Sequence, residues 1–414
     1  MTKYVESKLL VSIYYGKLRK TKGWINMKKA VHFGGGNIGR GFIGEILHDN
    51  DFSITFIDVN ESMIDALNQD NGYTIEIYGS GITTKEINNV SGIHSGKNPD
   101  AVAEAISNSD IVTCSVGPNN LKYIARNIAE GIKKRFEHKV DQNLDVIACE
   151  NMVGGSRSLK NKVYTHLNET LQHYADSHIG FPNASVDRIV PNITHDDITT
   201  VGVEAFKEWI VETKYSKTYP TLQLNEIKYV KDILPYTERK LLSVNTGHAT
   251  IAYGGLLLGH EDVVDALNNP AIEAHVIEVL NETGLYLSYM YNLDEEEHAL
   301  YIQKLLKRFR NKDINDNLNR IARNPIQKLG FSERFVIPLV GLYKLNLPHD
   351  ALIRAIASVF LFDYDEDPQS VILQSRLKDE SLIIVIKTTT GIHEMALIEK
   401  IHDEVVRLKA LHQR

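Results

Sequence analysis

Lys240, Asn245 and His248 stand close together in the run Glu238-Arg239-Lys240-Leu241-Leu242-Ser243-Val244-Asn245-Thr246-Gly247-His248. On a helix they fall within an arc of about 140° at 100° per residue. One face then presents an amine, an amide and an imidazole among Leu, Val and Ala neighbours. Removing hydride from a secondary alcohol needs such a set. Something must take the hydroxyl proton, and donors must hold the oxygen as it becomes a carbonyl. A lysine serves as the acceptor once burial or nearby cations lower its pKa. The same spacing suits an ordinary amphipathic helix, so the cluster alone leaves both readings open.

A second cluster is Gly34-Gly35-Gly36-Asn37-Ile38-Gly39, a G-x-G-x-x-G that follows the strand-like Ala30-Val31-His32-Phe33 and opens a helical pattern. That context is the one dinucleotide binding requires. Gly34 permits the tight turn, Gly36 lets backbone approach a pyrophosphate, and Gly39 lets the helix sit close on the strand. Asp58 ends the next strand-like run about 20 residues on, placed to accept from an adenosine ribose 2′-OH. Its charge would repel a 2′-phosphate, which favours NAD over NADP. The competing reading is a glycine-rich turn with an aspartate cap. Gly117 and Asn151 follow later strands and are expected to face the same cofactor.

These residues need a sheet to position them. Strand-like runs at Ala30–Phe33, Ser53–Asp58, Asp110–Cys114 and Leu144–Cys149 alternate with helical ones at Ile38–Leu47, Glu61–Leu67 and Leu121–Phe136. That alternation predicts a parallel α/β sheet with right-handed crossovers. After about residue 200, periodic stretches dominate: Glu226–Ile233, Tyr236–Leu258, Val263–Leu287 and Glu295–Phe309. The expectation is a nucleotide-binding domain over 27–200 and a mostly helical catalytic domain over 201–414. Residues 1–26 are read as a poorly ordered extension. Their apolar run precedes its basic residues, the reverse of a secretory signal.

The chain has 414 residues, 43% hydrophobic and 24% charged, with a net charge of −7. That is ordinary globular usage and excludes a disordered, collagenous or disulfide-framework chain. No basic stripe interleaved with aromatics suggests nucleic acid. No run reaches the roughly 20 apolar residues of a membrane span. Two cysteines, Cys114 and Cys149, lie in apolar runs and read as buried thiols of a cytoplasmic protein. His393-Glu394 opens like a zinc motif, but Leu397 stands where the second histidine belongs. His195-Asp196-Asp197 and His260-Glu261-Asp262 read as a loop and a helix start, so no metal is expected.

Three segments together resemble the polyol-specific long-chain dehydrogenases from about Met27 onward. They are Ala30-Val31-His32-Phe33-Gly34-Gly35-Gly36-Asn37-Ile38-Gly39-Arg40-Gly41-Phe42-Ile43-Gly44, then Glu150-Asn151-Met152, then Lys240 with Asn245 and His248. The opening phrase is similar to the mannitol-phosphate branch. The resemblance implies an N-terminal Rossmann domain, a helical C-terminal domain and metal-independent, NAD-dependent interconversion of D-mannitol 1-phosphate and D-fructose 6-phosphate. It implies Lys240 as general base and Asn245 and Asn183 as the two asparagines that polarise the reacting oxygen. His248 would orient substrate hydroxyls. The cofactor would lie along Ala30, Val31, His32, Phe33, Gly34, Gly35, Gly36, Asn37, Ile38, Gly39, Arg40 and Gly41. Arg320 and Lys328 would correspond to pocket residues.

A phosphorylated substrate calls for cations, and Arg320, Arg323, Lys328 and Arg334 are candidates. Gln327 departs from the branch, where an arginine is usual. The nearest alternative is the same chemistry on free mannitol, mannonate or altronate. A protein that senses NAD without catalysis is a further one. The expected assembly is a monomer or small homo-oligomer.

Overall fold

A computed structural model describes residues 27–412 except 80, 192, 194, 293 and 315; the expected 1–26 extension lies outside the described residues. Strand β1 (Lys28–Phe33) forms where Ala30, Val31 and Phe33 bury on both faces of a sheet. It pairs in parallel with β2 (Phe52–Asp58) and β6 (Ile111–Cys114), with Ala30 opposite both Ile54 and Ile111. With β5 (Val90–His94), β7 (Leu144–Ala148) and β8 (Ile179–Gly180) the order is β5-β2-β1-β6-β7-β8, all parallel. This is a Rossmann-type sheet. The C-terminal ends of β1, β2, β6 and β7 bring Gly34, Asp58, Gly117 and Glu150 to one edge, where such sheets bind ligands.

Two smaller sheets decorate it. The hairpin β3 (Gly72–Tyr78) and β4 (Ile82–Asn88) takes β10 (Val201–Glu204) as a third strand. β11 (Glu208–Glu212) lies between β9 (Ala184–Asp187) and β12 (Ile227–Val230). The strand-to-helix change expected near residue 200 therefore falls at Leu234. The stretch Glu226–Ile233, read above as helical, instead holds strand β12 at Ile227–Val230. Ile227 and Tyr229 pack against the sheet core while Lys228 between them is exposed, a period of two that a short run hides.

From Leu234 onward the chain is helical. Helix Leu234–Arg239 continues through a wide π turn, Lys240–Asn245, into Thr246–Leu257. Val263–Leu287 is two helices rather than one. Asp262 caps Val263–Leu267, and Asn269 caps Pro270–Tyr291, whose first residue has no N–H to continue a preceding helix. A core including Leu242, Val276, Leu280, Phe335 and Ile356 holds these helices together. Arg308, on helix Glu295–Phe309, reaches back to Asp187 at 3.0 Å and Glu204 at 2.7 Å and ties the helical half to β9 and β10. No described helix is long and apolar enough to cross a membrane.

Candidate active site

Lys240 occupies the first position of the π turn. In that turn hydrogen bonds run i→i+5 instead of i→i+4, and such turns concentrate at functional sites. Residues five apart, Lys240 and Asn245, are thereby drawn toward one face, which an α-helical wheel would spread apart. Leu242, Ser243 and Val244 between them turn inward and are buried. Thr246 closes the turn by donating its hydroxyl to the carbonyls of Leu241 and Arg334.

A cavity of about 140 Å³ opens beside this turn. Lys240, Asn245, Asn151, Gln327, Glu333 and Arg334 all line it. The Lys240 amine donates to Asn151 Oδ1 at 3.1 Å. No protein group takes up the Asn245 side-chain amide among the described residues, so its donors are available to a substrate. The Arg334 guanidinium, paired on one side with Glu333, carries the cavity's other cation. Burial pushes the Lys240 ammonium below its ordinary pKa. Asp187 pulls it up, while Arg308 and Arg334 push it further down.

The sequence-predicted residues divide. Lys240, Asn245 and Asn151 meet in the cavity. Asn183 does not: it is buried, its amide donates to Glu212 Oε2 at 3.0 Å, and Arg157 N–H donates to its carbonyl at 3.3 Å. The asparagine beside the amine is Asn151, which directly follows the buried carboxylate that ends β7. Glu150 accepts from Val116 and Gly117 N–H at 2.8 and 2.9 Å, and so fixes both the β6 loop and the approach of Asn151. His248 stacks on Phe309 at 4.8 Å, off the cavity wall, and burial holds its pKa down near 4.

Among the expected phosphate contacts, Arg320 is bound by Asp316, with Nε donating to Oδ1 at 2.6 Å. Lys328 is buried and donates to the Arg323 carbonyl; burial, with Arg334 beside it, lowers its pKa to about 7. The Arg323 side chain is exposed. None of these three lines the cavity, whereas Arg334 does. Asp197 accepts from Thr199 and Thr200 hydroxyls, and Asp262 caps a helix, as their loop and cap readings require.

The glycine loop has the shape its motif calls for. Gly34 has φ +103°, and a Cβ there would lie 2.7 Å from the Ser115 carbonyl. A Cβ on Gly39 would strike the Gly34 carbonyl and lie 2.7 Å from His32 Nε2. A Cβ on Gly36 would meet nothing, so the loop leaves an open cradle there. Gly36 is exposed there, and Asn37 and Ile38 after it are half-buried. Asp58 accepts from Gly35 N–H at 2.6 Å and from Val59 and Asn60 N–H, which holds the loop against the end of β2.

Other members of the expected cofactor set are structural. Ala30, Val31 and Phe33 are buried in the sheet. His32 lies under the loop, sharing hydrogen bonds with Thr113 and Ser115 at 2.7 and 2.9 Å. Arg40 is buried and donates to the carbonyls of Gly35, at 2.7 Å, and Thr199. Their side chains shape the cradle from behind, because a buried strand has no face left for a ligand.

A family model described as the mannitol dehydrogenase Rossmann domain matches residues 28–224, and one described as the mannitol dehydrogenase C-terminal domain matches residues 232–413. The mannitol-1-phosphate 5-dehydrogenase of Lactiplantibacillus plantarum is 48% identical over 90% of this chain and 96% of its own. That of Enterococcus faecalis is 47% identical over 91% and 98%. Among solved structures, Pseudomonas fluorescens mannitol 2-dehydrogenase in ternary complex with NAD and D-mannitol superposes with a TM-score of 0.74 at 18% identity, covering 93% of this chain and 92% of that one. D-sorbitol dehydrogenase in substrate-free form gives 0.78 at 16%, covering 94% and 97%. At such identities these two structures speak for the fold alone.

Proposed function

The chain belongs to the mannitol dehydrogenase family, and from that premise we propose that it interconverts D-mannitol 1-phosphate and D-fructose 6-phosphate by NAD-dependent, metal-independent hydride transfer in the cytoplasm. The observation that carries the mechanism is the cavity where the Lys240 amine, pushed toward its neutral form, meets Asn151, Asn245 and Arg334.

The cradle at Gly36 fits a pyrophosphate, and Asp58 beside it suits an unphosphorylated ribose. NAD bound there supplies the hydride acceptor, and that redox chemistry belongs to the cofactor. This chain's residues do the rest. Neutral Lys240 takes the proton from the substrate's secondary hydroxyl as hydride leaves the same carbon; in reduction, protonated Lys240 returns it. The amides of Asn245 and Asn151 donate to the oxygen as its charge changes. Arg334 holds the phosphate by charge-assisted hydrogen bonds. Glu150 keeps Asn151 in register with the β6 loop.

The test follows NADH absorbance with purified protein in EDTA, comparing fructose 6-phosphate with fructose, each with NADH and with NADPH. Oxidation with fructose 6-phosphate and NADH alone is the expected result. Activity only on free fructose would move the protein to the free-polyol dehydrogenases. Loss of activity in EDTA would overturn the metal-independent mechanism.

A further inference from the structure

A second cavity, of about 510 Å³, is lined by helix Gly155–Tyr164. Arg157 and Lys160 on that helix face Lys214 and Lys217 on the loop after β11 across it. Asp176 is the carboxylate on its wall, and it is already committed to Lys160 at 3.0 Å and to the Tyr164 hydroxyl. No carboxylate stands within ion-pair distance of Arg157, Lys214 or Lys217 among the described residues. Three uncompensated cations therefore surround one concavity, in a chain whose net charge is −7.

Two of the three cations have side-chain contacts, and the third is fixed through its backbone. Arg157 donates to the Tyr215 hydroxyl at 2.8 Å, and the Lys214 amine lies 5.2 Å from the same ring's centre. The loop itself is anchored by buried Asp145, which accepts from the Ser216 hydroxyl, the Lys217 N–H and the Thr218 hydroxyl. Buried Phe181 and Ile179 form an apolar floor. Converging cations over a fixed floor raise the local concentration of anions and offer N–H donors to phosphate oxygens.

We propose that this cavity is a binding site for a small phosphate-bearing anion, separate from the site that holds the substrate. It shares no residue with the Lys240 cavity.

Titration calorimetry of the full chain saturated with NADH, which fills the pyrophosphate cradle at Gly36, tests it with inorganic pyrophosphate, using wild type, Arg334→Ala and Lys214→Ala/Lys217→Ala. Pyrophosphate should bind Arg334→Ala as it binds wild type. The double lysine variant should weaken it at least about tenfold, the worth of one lost charge-assisted contact, with unchanged Tm and turnover. Lys214→Arg/Lys217→Arg, which keeps the charges, should retain binding. Parallel titrations with inorganic phosphate and with fructose 1,6-bisphosphate tell a free anion from a sugar ester, and binding of either that depends on the two lysines supports the site. An unchanged Kd in the double variant, or binding lost in Arg334→Ala and kept without the lysines, would overturn it. Turnover of fructose 6-phosphate is measured separately, so failure here leaves the catalytic reading to its own test.

Discussion

Asn151 and Asn183 make opposite predictions when each is replaced by alanine. The Asn151 carbonyl receives the Lys240 amine at 3.1 Å, and the residue lines the cavity beside the π turn. On the proposed mechanism its removal takes away one polar contact to the reacting oxygen and the partner that aims the amine. Loss of one such group costs roughly 10²–10³ in kcat, or about 2.7–4 kcal/mol. Asn183 lies 7% exposed and donates to Glu212, itself 8% exposed. Asn183→Ala leaves that carboxylate without its amide donor, a cost of about 1–3 kcal/mol in stability. At roughly 2–4 °C per kcal/mol, Tm falls measurably while kcat of the folded protein stays within a few-fold. Stopped-flow NADH oxidation with fructose 6-phosphate, paired with calorimetric melting of each variant, separates the two outcomes. A collapse of turnover at unchanged Tm in Asn183→Ala, with Asn151→Ala close to wild type, would refute the assignment.

Arg334→Ala should lower kcat/KM for fructose 6-phosphate at least about tenfold, as steady-state kinetics will show. On the proposed mechanism mannitol 1-phosphate oxidation needs the neutral Lys240 amine, so kcat/KM should rise with pH through that amine's pKa. Arg334 pushes the pKa down, so Arg334→Ala should shift the rising limb to higher pH, and a shift downward would contradict the account. Asp58→Asn should reduce the preference for NADH over NADPH at least about tenfold, read from kcat/KM for the two cofactors. Glu45 is buried, which raises its pKa, but Arg188 and Lys207 outweigh this and hold it near 2 against an ordinary 4.5. This cluster of one carboxylate and two cations stabilises the fold by about 3 kcal/mol above pH 4.5, and that is lost as pH falls toward 2. Glu45→Gln should flatten this acid limb in denaturant titrations.

The residues legible in the sequence are those whose job is local. Gly34 and Gly39 announce a loop because conformation or close approach dictates glycine there, and Asp58 follows at a spacing set by one βαβ unit. Lys240 and Asn245 were found by type and proximity, but the π turn that aligns them has no signature at a period of 3.6. Asn151 was visible only as a residue after a strand; its partnership with Lys240 spans 89 positions and exists only in three dimensions. Asn183 carried the right residue type, and its partner Glu212, on a neighbouring strand, could not be read from the local sequence. Strand β12 was hidden because four residues are too few to tell a period of two from 3.6. The basic residues Arg320, Arg323, Lys328 and Arg334 look alike in sequence. Only folding shows that Asp316 occupies the first, that Lys328 is buried against the Arg323 carbonyl, and that Arg334 opens into the cavity.

The central claim is that the Lys240 amine moves the substrate proton. Single-turnover NADH oxidation with fructose 6-phosphate by Lys240→Ala, with NADH affinity measured by fluorescence on the same sample, addresses it most directly. The account predicts a loss of at least about a hundredfold in the chemical step with NADH binding intact. Turnover equal to wild type, with NADH still bound, would contradict it.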